Sequence, residues 1–393
     1  MSDDSNNVVD TVVDVVSSVA ESDGSGTETV VRSAGSRISD SLAGMIIGPL
    51  IFLASFVLLF WNEGNEIQTI QALAESRGVT ISAPASPVEP GREGRLLHVI
   101  GELRAIDTVA DRTFGVSVAG ALRLRRSVEM FQWSESKNDK TIEYTKKWSS
   151  TPIDSSSFES QNGRVNPGMP FRDQSFNSAN VMLGDFRLDQ AVVSDLDFFE
   201  ALPLDDQPAP KAPFRKVGKY LFRGANPSQP QVGDIRVSFE IVKAQPVTLV
   251  AQQMTGVLVP YWTSNGSSVH LVQPGYMSVD AIYGQAQNDA HVLAWVLRVV
   301  GFVLMLIGPM MFLKPLSTFL SFIPFLGDIA GGLVEAGAFL VSLLIALPLT
   351  LITIAIAWLF FRPLIGGALL VVALGALFGL SRWRRARVAR SAP

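Results

Sequence analysis

His98, His270 and His291 are the three histidines of a 393-residue chain, and none stands at HxxxH or HExxH spacing. A zinc site needs several ligands converging on one point, and such short-range pairs are its usual mark in a sequence. The chain has no cysteine, which excludes disulfides, thiolate nucleophiles and thiolate metal ligands. Gly218-Lys219 lacks the upstream glycine of a phosphate-binding loop and is followed by Tyr220; no GxGxxG follows a strand pattern, and there is no GxSxG elbow. Asp185, Asp189, Asp195 and Asp197 read as solvated surface. The sequence therefore points to no catalytic residue, no cofactor and no metal.

Arg298 is different in kind. It lies about five residues inside an apolar run that opens at Leu293, where a charge costs roughly 2.5–3.5 kcal/mol at the centre of a bilayer and less toward the edge. Two arrangements relieve that cost. The side chain snorkels to the headgroups, or it pairs with Glu63 or Glu66, which follow another apolar run. The sequence alone favours snorkelling.

The elements that position these residues are membrane spans. Only 17% of residues are charged and the mean hydropathy is +0.29, a composition typical of membrane proteins. Apolar runs at 42–61, 293–313, 333–361 and 364–380 are each long enough to cross a hydrocarbon layer of roughly 30 Å. The first is not a signal peptide, since no small-residue cleavage pattern follows it. It ends in Trp61-Asn62-Glu63-Gly64: Trp61 suits headgroup depth, Glu63 and Glu66 belong in water, and Gly64 allows a turn. Arg362-Pro363 separates the last two runs as an interfacial turn. Gly375 and Gly379 form a GxxxG that lets helices approach closely.

Orientation follows the basic residues. Arg382, Arg384, Arg385, Arg387 and Arg390 place the C-terminus in the cytoplasm, and four spans return the N-terminus to the same side, in agreement with Arg32 and Arg37. The expected order is an acidic, disordered cytoplasmic tail over 1–41, a span at 42–61, an extracytoplasmic domain over 62–292, three spans within 293–380 and a basic cytoplasmic tail over 381–393.

That domain reads as β-rich. Leu122, Leu124, Val128 and Met130 alternate with Arg123, Arg125, Ser127 and Glu129, and Ile235, Val237, Phe239 and Ile241 alternate with Arg236, Ser238 and Glu240; a period of two buries one face of a sheet. Asn265-Gly266 predicts a type I′ hairpin. Proline-rich stretches at 84–90 and 203–213 read as loops that divide the domain into two lobes. Ser278 is the candidate N-cap of the helix leading back to the membrane.

Five phrases carry a family resemblance: FWNEG with TIQALAE (60–75), LRLRRSVEMFQW (122–133), NPSQPQVGDIRVSF (226–239), WVLRVVGF (295–302) and WLFFRPL (358–364). In this order, with one span before and three after, the chain resembles the transmembrane protein 43 (LUMA) family from about residue 43 to residue 380. The acidic tail has no counterpart in that resemblance. What the resemblance implies is a multipass α-helical membrane protein of four spans with a β-rich extracytoplasmic domain. It also implies self-association and the organising of membrane protein complexes, with no defined active site to carry over. Asn62, Glu63, Gly64, Arg126, Glu129, Gly233, Asp234, Arg236, Arg298, Arg362 and Pro363 match the family phrases and are expected to be architectural.

The function expected is a non-enzymatic membrane scaffold whose partners are the lipid bilayer, other copies of itself and other membrane proteins, but not nucleic acid. It would sit in the bacterial inner membrane in a prokaryote, or in the endoplasmic reticulum or inner nuclear membrane in a eukaryote. The alternatives are a channel or transporter subunit using Arg298 and Glu335, and a membrane-bound enzyme with an unrecognised site.

Overall fold

The computed structural model describes residues 21–22, 27–138, 141–320, 327–364, 366–368 and 371. The apolar runs become three long helices, Ala34–Val79, Val279–Leu320 and Gly327–Phe361, each long and apolar enough to cross a membrane. The fourth expected span falls largely outside the described residues, and so do Gly375, Gly379, the basic tail and residues 1–20.

The first helix does not turn at Gly64, contrary to the sequence reading. It runs unbroken for 46 residues. A change of solvent does not by itself break backbone hydrogen bonds, a lone glycine inside a helix costs only about 1 kcal/mol, and the following residues are good helix formers. The second helix likewise starts ahead of its apolar run, at Val279. Ser278 caps it as expected, its Oγ accepting the Ala281 N–H at 3.2 Å.

The chain divides into a β-rich unit, within 1–33 and 75–284, and a helical unit, within 34–74 and 285–393. In the β-rich unit, strands Arg123–Lys137 and Ile235–Val242 pair antiparallel over eight residues with the register Met130↔Ile235 to Arg123↔Val242. Their apolar alternation faces a cluster that includes Leu124, Val128, Met130, Val237 and Phe239. On the opposite face Arg236 pairs with Glu129 at 2.6 Å and Arg125 with Glu240 at 2.7 Å. Arg126 points inward with the apolar residues, where its Nη1 reaches Asp111 Oδ2 at 2.6 Å and its Nε and Nη2 donate to the Arg172 carbonyl. A buried arginine is tolerated there because its donors are met.

The second large sheet closes on itself. Leu96–Ala105 pairs with Val181–Leu183, which pairs with Phe186–Leu188, then Val257–Val259, then Pro246–Met254, which returns to Leu96–Ala105. Closure removes free strand edges around that circuit and surrounds a core including Leu97, Leu183, Phe186, Leu249 and Leu258. The two cores belong to one compact unit, and the first proline-rich stretch runs from the end of strand Ile81–Pro84 to the start of a 3-10 turn at Pro90–Arg92. It joins elements inside that unit and does not separate lobes.

The predicted hairpin forms, but with a different turn. Tyr261–Trp262 pairs with Ser268–Val269, and among the described non-glycine residues only Thr255 has positive φ, so Asn265 does not adopt the type I′ conformation. The Gly266 N–H donates to the Thr263 carbonyl and only Gly266 is left-handed, at φ +80, which makes a three-residue loop. Asn265 acts through its side chain, whose Oδ1 accepts from Thr263 Oγ1 and the Ser267 N–H. The tail expected to be disordered also departs from that reading at Glu28–Val31, which forms a strand against Thr141–Tyr144.

Candidate functional site

Glu63 and Glu66 are three residues apart on the first helix, so both carboxylates lie on one face. The second helix brings Arg298 to that face. Its Nε and Nη2 donate to Glu63 Oε1 and Oε2 at 2.6 and 2.8 Å, and Nη2 also donates to Glu66 Oε2 at 2.6 Å. Snorkelling is therefore not what Arg298 does; it pairs with both candidate acids at once. Its side chain is 11% exposed and Glu63's is fully buried.

The end of the third helix and the residue that follows it complete the cluster, from positions four apart. Trp358 Nε1 donates to Glu63 Oε2 at 2.7 Å, and Arg362 Nη2 lies 3.1 Å from Glu66 Oε2. On the second helix His291 Nδ1 lies 2.7 Å from Glu66 Oε1, so that nitrogen carries a proton and donates. All four carboxylate oxygens thus have partners, and two carboxylates face two guanidiniums. Asn62 adds a buried tie between the first two helices, its Nδ2 donating to the Ala294 carbonyl at 3.1 Å. A buried ionic network offsets its desolvation cost to the extent that its members are satisfied, which holds here for every carboxylate oxygen, while Arg362 Nε is buried without a hydrogen-bond partner.

The other sequence candidates have separate roles. Trp61 is 56% exposed and stands outside the network. Gly64 is a packing residue: a Cβ there would come within 2.7 Å of the Phe361 ring. Arg362-Pro363 does end a helix, whose last residue is Phe361.

Sequence reasoning missed the contact that lets the first two helices approach. A Cβ on Gly48 would lie 2.5 Å from the Gly308 carbonyl oxygen, and one on Gly308 would lie 2.8 Å from that of Gly48. Gly44 and Gly48 form a GxxxG inside the first apolar run, a signal as legible as Gly375 and Gly379 and better placed. Trp358 was missed as a member of the charged cluster, although its four-residue spacing from Arg362 was in view.

Among the described residues no three His, Asp or Glu side chains gather as a metal-binding group. The arrangement can hold three helices in one register; its carboxylates are engaged by the protein itself.

Comparison with known proteins agrees with these features. The transmembrane protein 43 family pattern matches residues 129–363. Transmembrane protein 43 of Mus musculus and that of Homo sapiens are each 32% identical to this chain over 352 residues, covering 84% of this chain and 87% of theirs. The Transmembrane protein 43 homolog of Drosophila melanogaster is 29% identical over 348 residues, covering 83% and 91%. No solved structure matches. With this extent of likeness, and with its apolar helices and β-rich unit in place, the chain belongs to the transmembrane protein 43 family.

Proposed function

We propose that the protein is a non-enzymatic membrane scaffold, which self-associates through its helices and organises other membrane proteins through a β-rich unit held outside the cytoplasm. Four spans set this topology, with both termini in the cytoplasm and the fourth span at 364–380. The compartment is the inner membrane of a bacterium, or the endoplasmic reticulum or inner nuclear membrane of a eukaryote.

The observation that carries the reading is the closed network of Glu63, Glu66, Arg298, Trp358 and Arg362. Charges that line a conduction path or perform proton transfer need contact with water or substrate. Here the carboxylates are buried against protein donors, as suits a fixed platform. A channel subunit, the competing reading, would draw on Arg298, which is committed to two acids.

One experiment tests placement and role together. In this cysteine-free chain, Ser157→Cys is expected to react with a membrane-impermeant, photo-crosslinking thiol reagent in intact spheroplasts or sealed luminal-side-out vesicles, and to recover other membrane proteins on illumination. Ser391→Cys is expected to stay unlabelled until the membrane is opened. Labelling of Ser391→Cys alone would reverse the orientation, and labelled Ser157→Cys that recovers only lipid would contradict the scaffold.

A further inference from the structure

Positions 56, 57, 60, 61, 64, 65 and 68 of the first helix recur in adjacent pairs four residues apart and so share one face. It is not the face that carries Glu63 and Glu66. Ile352 and Ile356 of the third helix stand against it, and the two helices wall a groove of about 630 Å³, within the ~300–1,000 Å³ of small-molecule sites. From position 56 to position 68 the groove runs about 18 Å along the first helix, at 1.5 Å per residue. On the apolar side of Trp61 its walls are hydrocarbon, with Phe56, Val57 and Phe60 on one helix and Ile352 and Ile356 on the other. Thr353 also lines it and donates its hydroxyl to the Leu349 carbonyl at 2.7 Å. Phe361 closes one end, its ring 5.2 Å from that of Phe60, and Gly64 leaves room for that ring. Beyond Trp61 the lining changes to Asn65 and Gln68, which are polar and uncharged.

The groove opens from helices long and apolar enough to cross a membrane, so the medium at its mouth is lipid. A floor with one hydroxyl, already committed, offers water too few partners. The chain's own run at 364–380 is the other candidate to fill it, but that run starts elsewhere. Gly366 packs on the Trp358–Leu359 peptide, where a Cβ would lie 2.7 Å from the Leu359 nitrogen and 2.8 Å from the Trp358 carbonyl oxygen. Trp358 lines a different cleft with Leu347, Leu351 and Ile354, positions that 3.6 residues per turn place on the far side of the third helix from Ile352 and Ile356. Hydrocarbon, then an aromatic at the boundary, then uncharged polar groups is also the order of a lipid from its chain to its glycerol esters. Among the described residues no acid or base lines the groove, so nothing in it selects a headgroup by charge.

We propose that this groove binds one acyl chain of a bilayer phospholipid, held lengthwise between the first and third helices with its ester region at Asn65 and Gln68. The site recognises the chain and not the headgroup charge. It goes beyond the scaffold reading and holds for either orientation of the spans. Apolar surface gains nothing from water release inside a bilayer, so retention depends on fit. The Phe56, Phe60 and Phe361 rings enclose the chain on several sides, and many small dispersion contacts add up.

The test uses the full chain in nanodiscs containing a phosphatidylcholine with a diazirine midway along one acyl chain, and maps the photo-adducts by peptide mass spectrometry. Val300 and Val303 are the controls, exposed on the second helix at the level where Gly301 meets Leu59. Adducts at Val57, Phe60, Ile352 and Ile356 are expected about tenfold above those at the controls, a ratio that corresponds to about 1.4 kcal/mol. The same pattern is expected with the diazirine on a phosphatidylglycerol. Ile356→Trp, which fills the groove, should remove the enrichment, and Val303→Trp should keep it; should Ile356→Trp fail to fold, the parent's adduct map decides alone. Equal labelling of groove and controls would overturn the proposal. So would weaker labelling of the groove, the mark of a groove filled by the protein itself. Enrichment with only one of the two headgroups would overturn it as well, because charge and not the chain would then be recognised.

Discussion

Replacing Arg298 with glutamine is expected to destabilise the helical unit by about 3 kcal/mol or more, the range found when one partner of a buried pair is removed. The loss takes three charge-assisted bonds from two carboxylates at once. Among the described residues Glu63 is left fully buried with only the Trp358 indole as a side-chain donor, while Glu66 keeps Arg362 and His291. Arg298→Lys should recover only part of the loss, because an ammonium cannot reproduce the fork that spans both oxygens of Glu63 while reaching Glu66. Thermal or denaturant unfolding in mild detergent, followed by helical circular dichroism, reads the effect. A variant as stable as the parent would mean that the network contributes nothing to holding the helices.

Gly48→Val is expected to cost about 1–3 kcal/mol, the usual penalty of overpacking, and to force the first two helices apart. The atoms that the new side chain meets are backbone: the Gly308 carbonyl oxygen at 2.5 Å and the Phe312 nitrogen at 3.0 Å from its Cβ. Backbone cannot swing aside as the end of a side chain can. In lipid, where apolar surface is not driven from water, helix contacts depend on such close approach. Gly35→Ala, with nothing within 4 Å of its Cβ, is the matched control and should be silent. Unfolding free energy in mild detergent, followed by helical circular dichroism, reads the effect, and an unchanged value in Gly48→Val would show that the helices do not depend on this contact.

The parts of the fold that could be read from sequence are those set by periodicity. Alternation in 122–130 and 235–241 gave the paired strands and their buried face, because a two-residue period has only one sheet-like solution. Apolar length gave the helices, and Ser278 gave a helix start through the chemistry of capping. The unread parts depend on what lies far along the chain. Whether Arg298 snorkels or pairs depends on the rotation of a helix more than 200 residues away, and the same rotation decides that Gly64 meets Phe361 instead of a turn. Asn265-Gly266 shows a local limit as well, since an asparagine can serve a turn through its side chain as readily as through left-handed backbone. Gly44 and Gly48 carry the same GxxxG signal as Gly375 and Gly379, which lie outside the described residues.

The central claim is that Glu63 and Arg298 act together, as one neutralised unit that ties the first helix to the second. A double-mutant cycle of Glu63→Gln and Arg298→Gln, scored as unfolding free energy in mild detergent, tests it most directly. Each single substitution leaves a buried charge with too little compensation, whereas the double substitution removes both. The double variant is therefore predicted to lose about 2 kcal/mol less than the sum of the two single losses, within the range for residues in one network. Additive losses would contradict the claim, leaving Arg298 an isolated charge at the membrane edge and Glu63 a carboxylate held by other means.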